Sequence, residues 1–199
     1  MKPSASTVTR SSEHSTLPDA SSLTDAHFST LCAAIRGDYR RHGSSVASAA
    51  FVSLCLYRFG RWGLHRRSAI GRRLVSRVYG FANLFVANIT KIWIPPQVTI
   101  GRDFHIVHAE GSLSIHPDAV IGDRLGVMHN VTIGTNMGDG VPVIGDDVFI
   151  GVNSTVLGPI RIGDRVRIAA NTAVTTDVPS DSIVVGSPGR ILPRLGMMK

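Results

Sequence analysis

Four histidines fall close together in the middle of the chain, and they have the clearest capacity for chemistry. They are His105, His108, His116 and His129. A neutral imidazole can remove a proton from a hydroxyl group near neutral pH, which is the role of a general base. Glu110 lies two residues after His108 and could orient its ring if the backbone there is extended. Whether these side chains meet depends on the elements that carry them.

An aliphatic residue returns every six positions through this region, with one slip of three residues and one of five. The series is Ile94, Ile100, Ile106, Ile115, Ile121, Val127, Ile133, Ile144, Ile150, Val156, Ile162, Ile168 and Val174. A period of six is neither helical nor that of one amphipathic strand, and short repeats of this kind are typical of a β-helix. The alternative, a sandwich of alternating strands, would not keep this phase.

Three repeats make one coil, which assigns each aliphatic residue to a face. Face A carries Ile94, Ile115, Ile133, Val156 and Val174; face B carries Ile100, Ile121, Ile144 and Ile162; face C carries Ile106, Val127, Ile150 and Ile168. Because one coil cannot bury its aliphatic side chains alone, neighbouring coils must stack into a common core. Positive φ is expected at the corners, at Gly101, Gly122, Gly145 and Gly163 and at Asn130, Asn153 and Asn171.

The same map places His108 and His129 at one corner in successive coils, about one strand spacing apart, since each lies two residues after a face C residue. The two slips predict a small bulge at 112–114 and a flexible loop at 135–143, TNMGDGVPV, because inserted residues leave a solenoid as loops. We expect the longer loop to border the acceptor site.

The N-terminal part predicts helices. Residues 1–22 are rich in Ser and Thr and read as a disordered tail without a signal peptide. A helical region is expected over 23–92, with helices at 22–41 (capped by Ser22 or Thr24), 46–67 and 70–92. The apolar part of the second helix, VASAAFVSLCLY, is shorter than the roughly 20 residues that span a bilayer, so it is not expected to cross a membrane. The β-helix is predicted at 93–182 and a C-terminal extension at 183–199. The third helix has an apolar stripe at Leu74, Val78, Phe81, Phe85 and Ile89.

Charge is divided unevenly along the chain. Residues 1–92 contain 13 Lys/Arg and 4 Asp/Glu, whereas residues 93–199 contain 8 and 10. Arginines concentrate in the last two helices, at Arg58, Arg61, Arg66, Arg67, Arg72, Arg73 and Arg77. Their plain interpretation is a solvated helix face, and the alternatives are contact with anionic lipid or with a charged carrier-linked substrate. No nucleic-acid partner is expected, because no recognised binding motif accompanies the charge.

Cysteine usage indicates the compartment. Cys32 and Cys55 are the only two cysteines, and both have apolar neighbours in the helical region. Free buried thiols fit a reducing environment, so we expect a cytoplasmic protein, with peripheral contact to the inner membrane face as an open alternative.

Two segments together resemble a known family. They are similar to the hexapeptide-repeat acetyltransferases, and they read HIVHAEGSLSIHPDAVIGDRLGVMHNVTIG and VPVIGDDVFIGVNSTVLGPIRIGDRVRIAANTAVTTDVPSDSIVVGSPGRI. Within them the chain resembles the serine O-acetyltransferase branch, including relatives from exopolysaccharide gene clusters. The match covers roughly residues 57–192 and includes YRFGRW in the second helix.

This resemblance implies a left-handed parallel β-helix with an N-terminal α-helical region, assembled as a homotrimer with acetyl-CoA between subunits. It places the family's catalytic histidine at His108, with no metal expected. Cofactor contacts would fall at Gly134, Asn153, Ala169 and Ala170, and Arg190 or Arg194 could meet a phosphate.

The chain also departs from the family pattern. Val107 and Trp93 stand where the family has acids, and Gly140 and Val141 stand where it has an Arg-His pair that holds a substrate carboxylate. The acceptor is therefore serine or, as we favour, a sugar hydroxyl on a polysaccharide intermediate. The chain ends in Met197, Met198 and Lys199 rather than isoleucine, so no complex with cysteine synthase is expected.

Two other classes of function stay open from the sequence. One is a γ-carbonic-anhydrase-like zinc lyase, which needs three histidines on one metal, although the spacing of the four histidines does not match that pattern. The other is a non-catalytic trimeric binding or scaffold protein, because several residues of the family's site are replaced.

Overall fold

Three helices open the described part of the chain. The computed structural model describes residues 27–46, 48–108, 110–138 and 140–193. The helices are α1 (Phe28–Arg41), α2 (Ala49–Leu64) and α3 (Ala69–Thr90). A serine Oγ caps each of the last two, because Ser48 accepts from the backbone N–H of Phe51 and Ser68 from that of Gly71. The predicted tail at 1–22, the predicted caps Ser22 and Thr24, and Arg194 lie outside the described residues.

Short strands follow, and in the described residues they form three sheets that are the faces of a parallel solenoid of about four turns. Face A contains β1 (Ile92–Trp93), β4 (Leu113–Ile115), β7 (Val131–Gly134), β10 (Thr155–Leu157) and β13 (Ala173–Val174). Face B contains β2 (Thr99–Ile100), β5 (Val120–Ile121), β8 (Val143–Ile144) and β11 (Arg161–Ile162). Face C contains β3 (His105–Ile106), β6 (Gly126–Val127), β9 (Phe149–Ile150), β12 (Arg167–Ile168), β14 (Ser182–Val185) and β15 (Arg190–Pro193).

The strand register confirms the predicted assignment of aliphatic residues to faces. On face B, Ile121 pairs with Ile100 and with Ile144. On face C, Val127 pairs with Ile106 and Ile150 in the same way. Every residue of the six-residue series is at most 4% exposed, so the series forms one continuous buried column. Parallel pairing extends to β14, beyond the predicted end at 182, and β15 then returns antiparallel to it.

The corners follow the prediction at the asparagines but not at the glycines. Asn130, Asn153 and Asn171 each have a φ of 56°. After face B the positive φ falls two residues beyond each glycine, at Asp103, Arg124, Asp147 and Arg165. The glycines are required for a different reason, namely that a Cβ there would collide with the next coil; at Gly122 the obstacle is the Asp146 carboxylate. The prediction of positive φ at these glycines was wrong.

The shorter insertion also lies elsewhere than predicted. Residues 112–114 do not bulge, because β4 begins at Leu113 and Ser114 pairs with both Trp93 and Thr132. The three extra residues instead extend the turn between β3 and β4, around His108 and Gly111. The longer excursion lies between Gly134 and Val143, where the sequence predicted it.

Helix α2 closes the N-terminal end of the solenoid. The first coil has no preceding coil to supply hydrogen-bond donors, so its edge carbonyl groups need other partners. Arg58 donates to the carbonyls of Ile100 (2.9 Å) and Gly101 (2.7 Å), and Arg61 donates to that of Val98 (2.8 Å). The Tyr57 hydroxyl also donates to Val98, at 3.0 Å. The motif YRFGRW is therefore a cap on the first coil.

A buried ion pair connects this cap to α1. The Arg58 Nε lies 2.9 Å from the Asp38 Oδ2, and the two side chains are only 7% and 1% exposed. Removing one partner of such a pair leaves the other charge buried without compensation. Arg58 and Arg61 are thus internal, which corrects their assignment to a solvated or lipid-facing surface. Arg66, Arg67, Arg72, Arg73 and Arg77 are exposed.

Helix α3 packs against α2 through two glycines. A Cβ on Gly60 would lie 2.6 Å from the Tyr79 ring, and one on Gly63 would overlap the Val75 side chain. These glycines allow close approach inside α2 and do not end it. No side chain of α3 is fully buried in the described structure, and its predicted apolar stripe faces outward. Among the described residues, no helix combines the length and apolarity needed to cross a membrane.

The two cysteines lie in different environments. Cys32 is exposed on α1, contrary to the expectation of two buried thiols. Cys55 is half-buried in α2, and burial raises the pKa of its thiol to about 11. The Cys55 thiol is therefore protonated and unreactive near neutral pH.

The cap predicts a large loss of stability on substitution of Arg58. Arg58→Met leaves the Asp38 carboxylate and two carbonyls without their donors, so the free energy of unfolding should fall by about 3–5 kcal/mol. Urea unfolding followed by circular dichroism measures this change. Arg36→Met, at an exposed position of α1, is the matched control and should change stability by less than about 0.5 kcal/mol. An equally small effect for Arg58→Met would contradict the capping role.

Candidate functional site

The residues predicted for catalysis and cofactor binding lie mostly along one edge of the solenoid. This edge, here named the CA edge, comprises the corners where the chain passes from face C to face A, at residues 107–112, 128–130, 151–154 and 169–172. The turn 186–189, which joins β14 to β15 on face C, continues the edge, because the Gly186 N–H donates to the Thr172 hydroxyl at 3.2 Å. Successive corners are about one strand spacing apart. Side-chain amides link three of them, because the Asn130 Nδ2 donates to Asn153 (3.0 Å) and the Asn153 Nδ2 donates to Asn171 (3.2 Å).

His108 occupies the first corner of the CA edge. It follows β3 directly and has a φ of 60°, so the backbone turns sharply at this residue. Its side chain is 63% exposed and therefore accessible to a substrate. The Nδ1 lies 4.0 Å from the Glu110 Oε2, longer than a hydrogen bond. The extended backbone that Glu110 would need to orient the imidazole is absent.

His129 occupies the next corner of the CA edge, two residues after Val127, which pairs with Ile106. The three inserted residues bring Gly111 against it, and a Cβ on Gly111 would lie 2.8 Å from the His129 Cβ. The turn is held there by Asn130, whose Oδ1 accepts from the Ser112 N–H at 3.1 Å. The His129 Nδ1 is buried and has no hydrogen-bond partner among the described residues. Buried side-chain nitrogens are usually hydrogen-bonded, so this atom is an exception at the CA edge.

A histidine of the helical region holds the strand that precedes His108. The backbone N–H of Ile106 donates to the His42 Nε2 at 3.1 Å, so this nitrogen is unprotonated. The His42 Nδ1 consequently carries the proton and donates to the Asp38 carbonyl at 2.7 Å. The centroids of the His42 and His105 rings are 5.0 Å apart, and burial, reinforced by the nearby charge of Arg41, lowers the pKa of His105. His105 is therefore a neutral packing residue near neutral pH.

Two of the predicted cofactor positions differ in what they offer a ligand. Asn153 is at the third corner of the CA edge, where its side chain is engaged in the asparagine ladder. Gly134 ends β7 on face A, at the start of the long loop, rather than on the CA edge. A Cβ on Gly134 would meet nothing within 4 Å, so open space adjoins this backbone.

The remaining predicted positions continue toward the C-terminal end. Ala169 and Ala170 lie at the fourth corner, and Gly151 packs directly against the Ala170 backbone. The turn before Arg190 is tied to the solenoid, since the Gly189 N–H donates to the Ala173 carbonyl at 2.8 Å. Arg190 begins β15 and is exposed. The CA edge therefore carries His108 at one end and a cationic side chain at the other.

Sequence reasoning missed two residues that shape this site. Gly111 carried no signal beyond its place near the first slip, and His42 follows a helix far from the repeat. In the described residues, no three His, Cys, Asp or Glu side chains are placed to hold a metal ion together. The zinc-lyase alternative thus gains no support from a site within one described chain.

Comparisons with known proteins identify the family. The model of the hexapeptide repeat of succinyl-transferase matches residues 141–176. A serine acetyltransferase from Mycobacterium tuberculosis is 35% identical over 81% of this chain and 73% of its own length. One from Synechococcus elongatus is 31% identical over 85% of this chain and 70% of its own length.

Solved structures agree with this result. Soybean serine acetyltransferase superposes with a TM-score of 0.69 and 27% identity, covering 81% of this chain and 69% of the soybean chain. The predicted left-handed parallel β-helix with N-terminal helices is confirmed. The coil architecture and the extent of the sequence match together show that the chain belongs to the serine acetyltransferase family of acetyl-transferring acyltransferases.

Proposed function

We propose that the chain transfers the acetyl group of acetyl-CoA to a hydroxyl acceptor, with His108 as the general base. The observation that carries this proposal is the exposed His108 imidazole at the end of an edge that also carries three of the predicted cofactor positions, Asn153, Ala169 and Ala170. The family's acetyl-transfer chemistry supports the donor. His108 would take the proton of the acceptor hydroxyl as its oxygen attacks the thioester carbonyl, and the thiolate of CoA would leave.

His129 has a supporting role in this proposal. Its buried and unpaired Nδ1 lies at the corner next to His108, where it could hydrogen-bond to the acceptor or to the thioester. Backbone N–H groups of the corners would stabilise the oxyanion that forms on the carbonyl. Gly134 and the corners at Asn153 and at Ala169 and Ala170 would hold the pantetheine chain, and Arg190 would pair with a phosphate.

The acceptor we favour is a sugar hydroxyl rather than free serine. A carboxylate bound in a site is held best by a positively charged or bidentate hydrogen-bond donor. The loop 135–143, which we expect beside the acceptor, contains no cation and one acid, Asp139. Val107 and Trp93 likewise replace acids of the family pattern that surround its substrate. The basic composition of residues 1–92 suits an acceptor of negative charge, such as an anionic polysaccharide intermediate.

Assembly and location are part of the same proposal. We expect a homotrimer, as membership of the serine acetyltransferase family suggests, in which a second subunit would complete a groove along the CA edge. We expect the enzyme to work in the cytoplasm.

Substitution of His108 tests the base directly. His108→Ala should lower the rate of CoA release by about 100-fold or more, because general-base catalysis contributes that much. The measurement is thiol release from acetyl-CoA in the presence of a panel of sugar acceptors and serine. His116→Ala, which removes a half-buried histidine on the opposite side of face A, is the control. Equal rates of CoA release by His108→Ala and wild type would contradict the assignment of His108 as the general base.

Adding a cation to the loop 135–143 tests whether the acceptor is serine or a sugar. Val141→Arg should raise kcat/KM for serine by about tenfold, since a hydrogen bond to a charged group is worth about 1.5–3 kcal/mol. Val141→Gln has similar reach without the charge and should give little gain. Wild-type enzyme that already uses serine better than any sugar, with no gain in Val141→Arg, would contradict the favoured acceptor.

The open space at Gly134 allows a clean test of cofactor binding. Gly134→Val adds a side chain that meets nothing within 4 Å of its Cβ, so the fold should be retained while the dissociation constant for CoA rises about tenfold. Calorimetric titration measures binding, and thermal unfolding measures the fold. Gly80→Ala, at a similarly open glycine on α3, serves as the control. Unchanged CoA affinity in folded Gly134→Val would remove Gly134 from the binding site.

A further inference from the structure

Helix α3 carries an apolar face that nothing in the described chain covers. The helix has 22 residues, and its large apolar side chains repeat at helical spacing. They are exposed by 50% to 80%: Ile70, Leu74, Val78, Phe81, Leu84, Phe85 and Ile89. The opposite face, with Val75 and Tyr79, packs on α2. A contiguous apolar surface of this length on a folded protein marks an interaction site.

The charge around this face has one sign. Arg73 and Arg77 lie on the same side of α3 as Ile70 and Phe81, by spacings of three and four residues, and both are exposed. Arg67 is exposed just before the helix begins. No Asp or Glu occurs anywhere between Asp38 and Asp103. The partner of α3 must therefore be apolar where it meets the stripe and anionic at its border.

We propose that this face of α3 docks on the surface of a bilayer that contains anionic lipids. A helix with an apolar face and arginines at its margin lies in the plane of the headgroups, with the apolar side chains among the acyl chains and the guanidinium groups on lipid phosphates. The helix is about 33 Å long, which would bring several headgroups within reach of the arginines. This inference does not rest on the proposed acetyl transfer.

A lipid surface fits the charges better than the same face of a second copy. In a contact between the α3 helices of two copies, the arginines at the border would find no acid on either helix to offset their charge. The five exposed arginines of α3 and of the connection before it then have no counter-charge among the described residues. Subunit contact through α3 is the competing outcome of the test.

Vesicle binding by the full-length protein tests the proposal. Sedimentation is measured with phosphatidylcholine vesicles and with vesicles containing roughly 30% phosphatidylglycerol, without acetyl-CoA or acceptor. Binding is expected to the anionic vesicles only and should weaken in roughly 0.5 M salt, where charges are screened within a few ångströms. Because no substrate is present, failure here leaves the acetyl-transfer assay unaffected, and the reverse also holds.

Two variants separate the contributions of charge and apolar contact. Arg73→Gln combined with Arg77→Gln should weaken binding by about 30-fold, and Arg36→Gln combined with Arg161→Gln is the control with equal charge loss at exposed sites elsewhere. Leu74→Gln with Phe81→Gln and Phe85→Gln should abolish binding. Leu74→Met with Phe81→Leu and Phe85→Leu should retain it. All seven positions are exposed, so circular dichroism should show unchanged folding.

Three results would overturn the proposal. The first is absence of wild-type binding to the anionic vesicles. The second is equal binding to neutral and anionic vesicles, which would remove the arginines from the interaction. The third is a smaller oligomer for the glutamine triple variant than for wild type in sedimentation equilibrium, because the stripe would then be a subunit contact.

Discussion

The open end of the solenoid is the constraint on which the rest of the structure depends. A stack of coils must end, and its first coil presents backbone carbonyls that no further coil pairs and an apolar column that must be shielded from water. Arg58, Arg61 and Tyr57 donate to those carbonyls, while Leu54 extends the buried column. Burying two guanidinium groups is tolerable only because Asp38 and the carbonyls surround them with acceptors. The helical region is therefore an integral part of the β-helix rather than an appendage.

The same helices reach the site. Asp38 pairs with Arg58 through its carboxylate and accepts from His42 through its carbonyl, and His42 in turn accepts from the N–H of Ile106. Ile106 is two residues before His108. The cap therefore contacts, through His42, the strand that positions His108, the proposed base. The stability of the fold and the geometry of His108 are coupled through one buried residue, Asp38.

Most of the fold could be predicted because the six-residue period reports a local requirement that every coil repeats. The assignment of residues to faces, the asparagine corners and the long loop after Gly134 all follow from it. The six-residue period gives no information about the structure where the chain departs from it. The first insertion could be counted from the slip, but whether the extra residues precede or follow Ser112 depends on strand pairing, so Gly111 against His129 was not foreseen. Nothing in the sequence around Arg58 and Arg61 distinguishes a buried arginine from an exposed one.

The central claim is that the CA edge holds the donor with its thiol end at His108. A crystal structure of the protein with CoA measures this most directly. We expect the CoA sulfur within about 4 Å of the His108 or His129 ring, with the adenosine end near Arg190. CoA bound along the corners after face B, or with its sulfur at the Arg190 end, would contradict it.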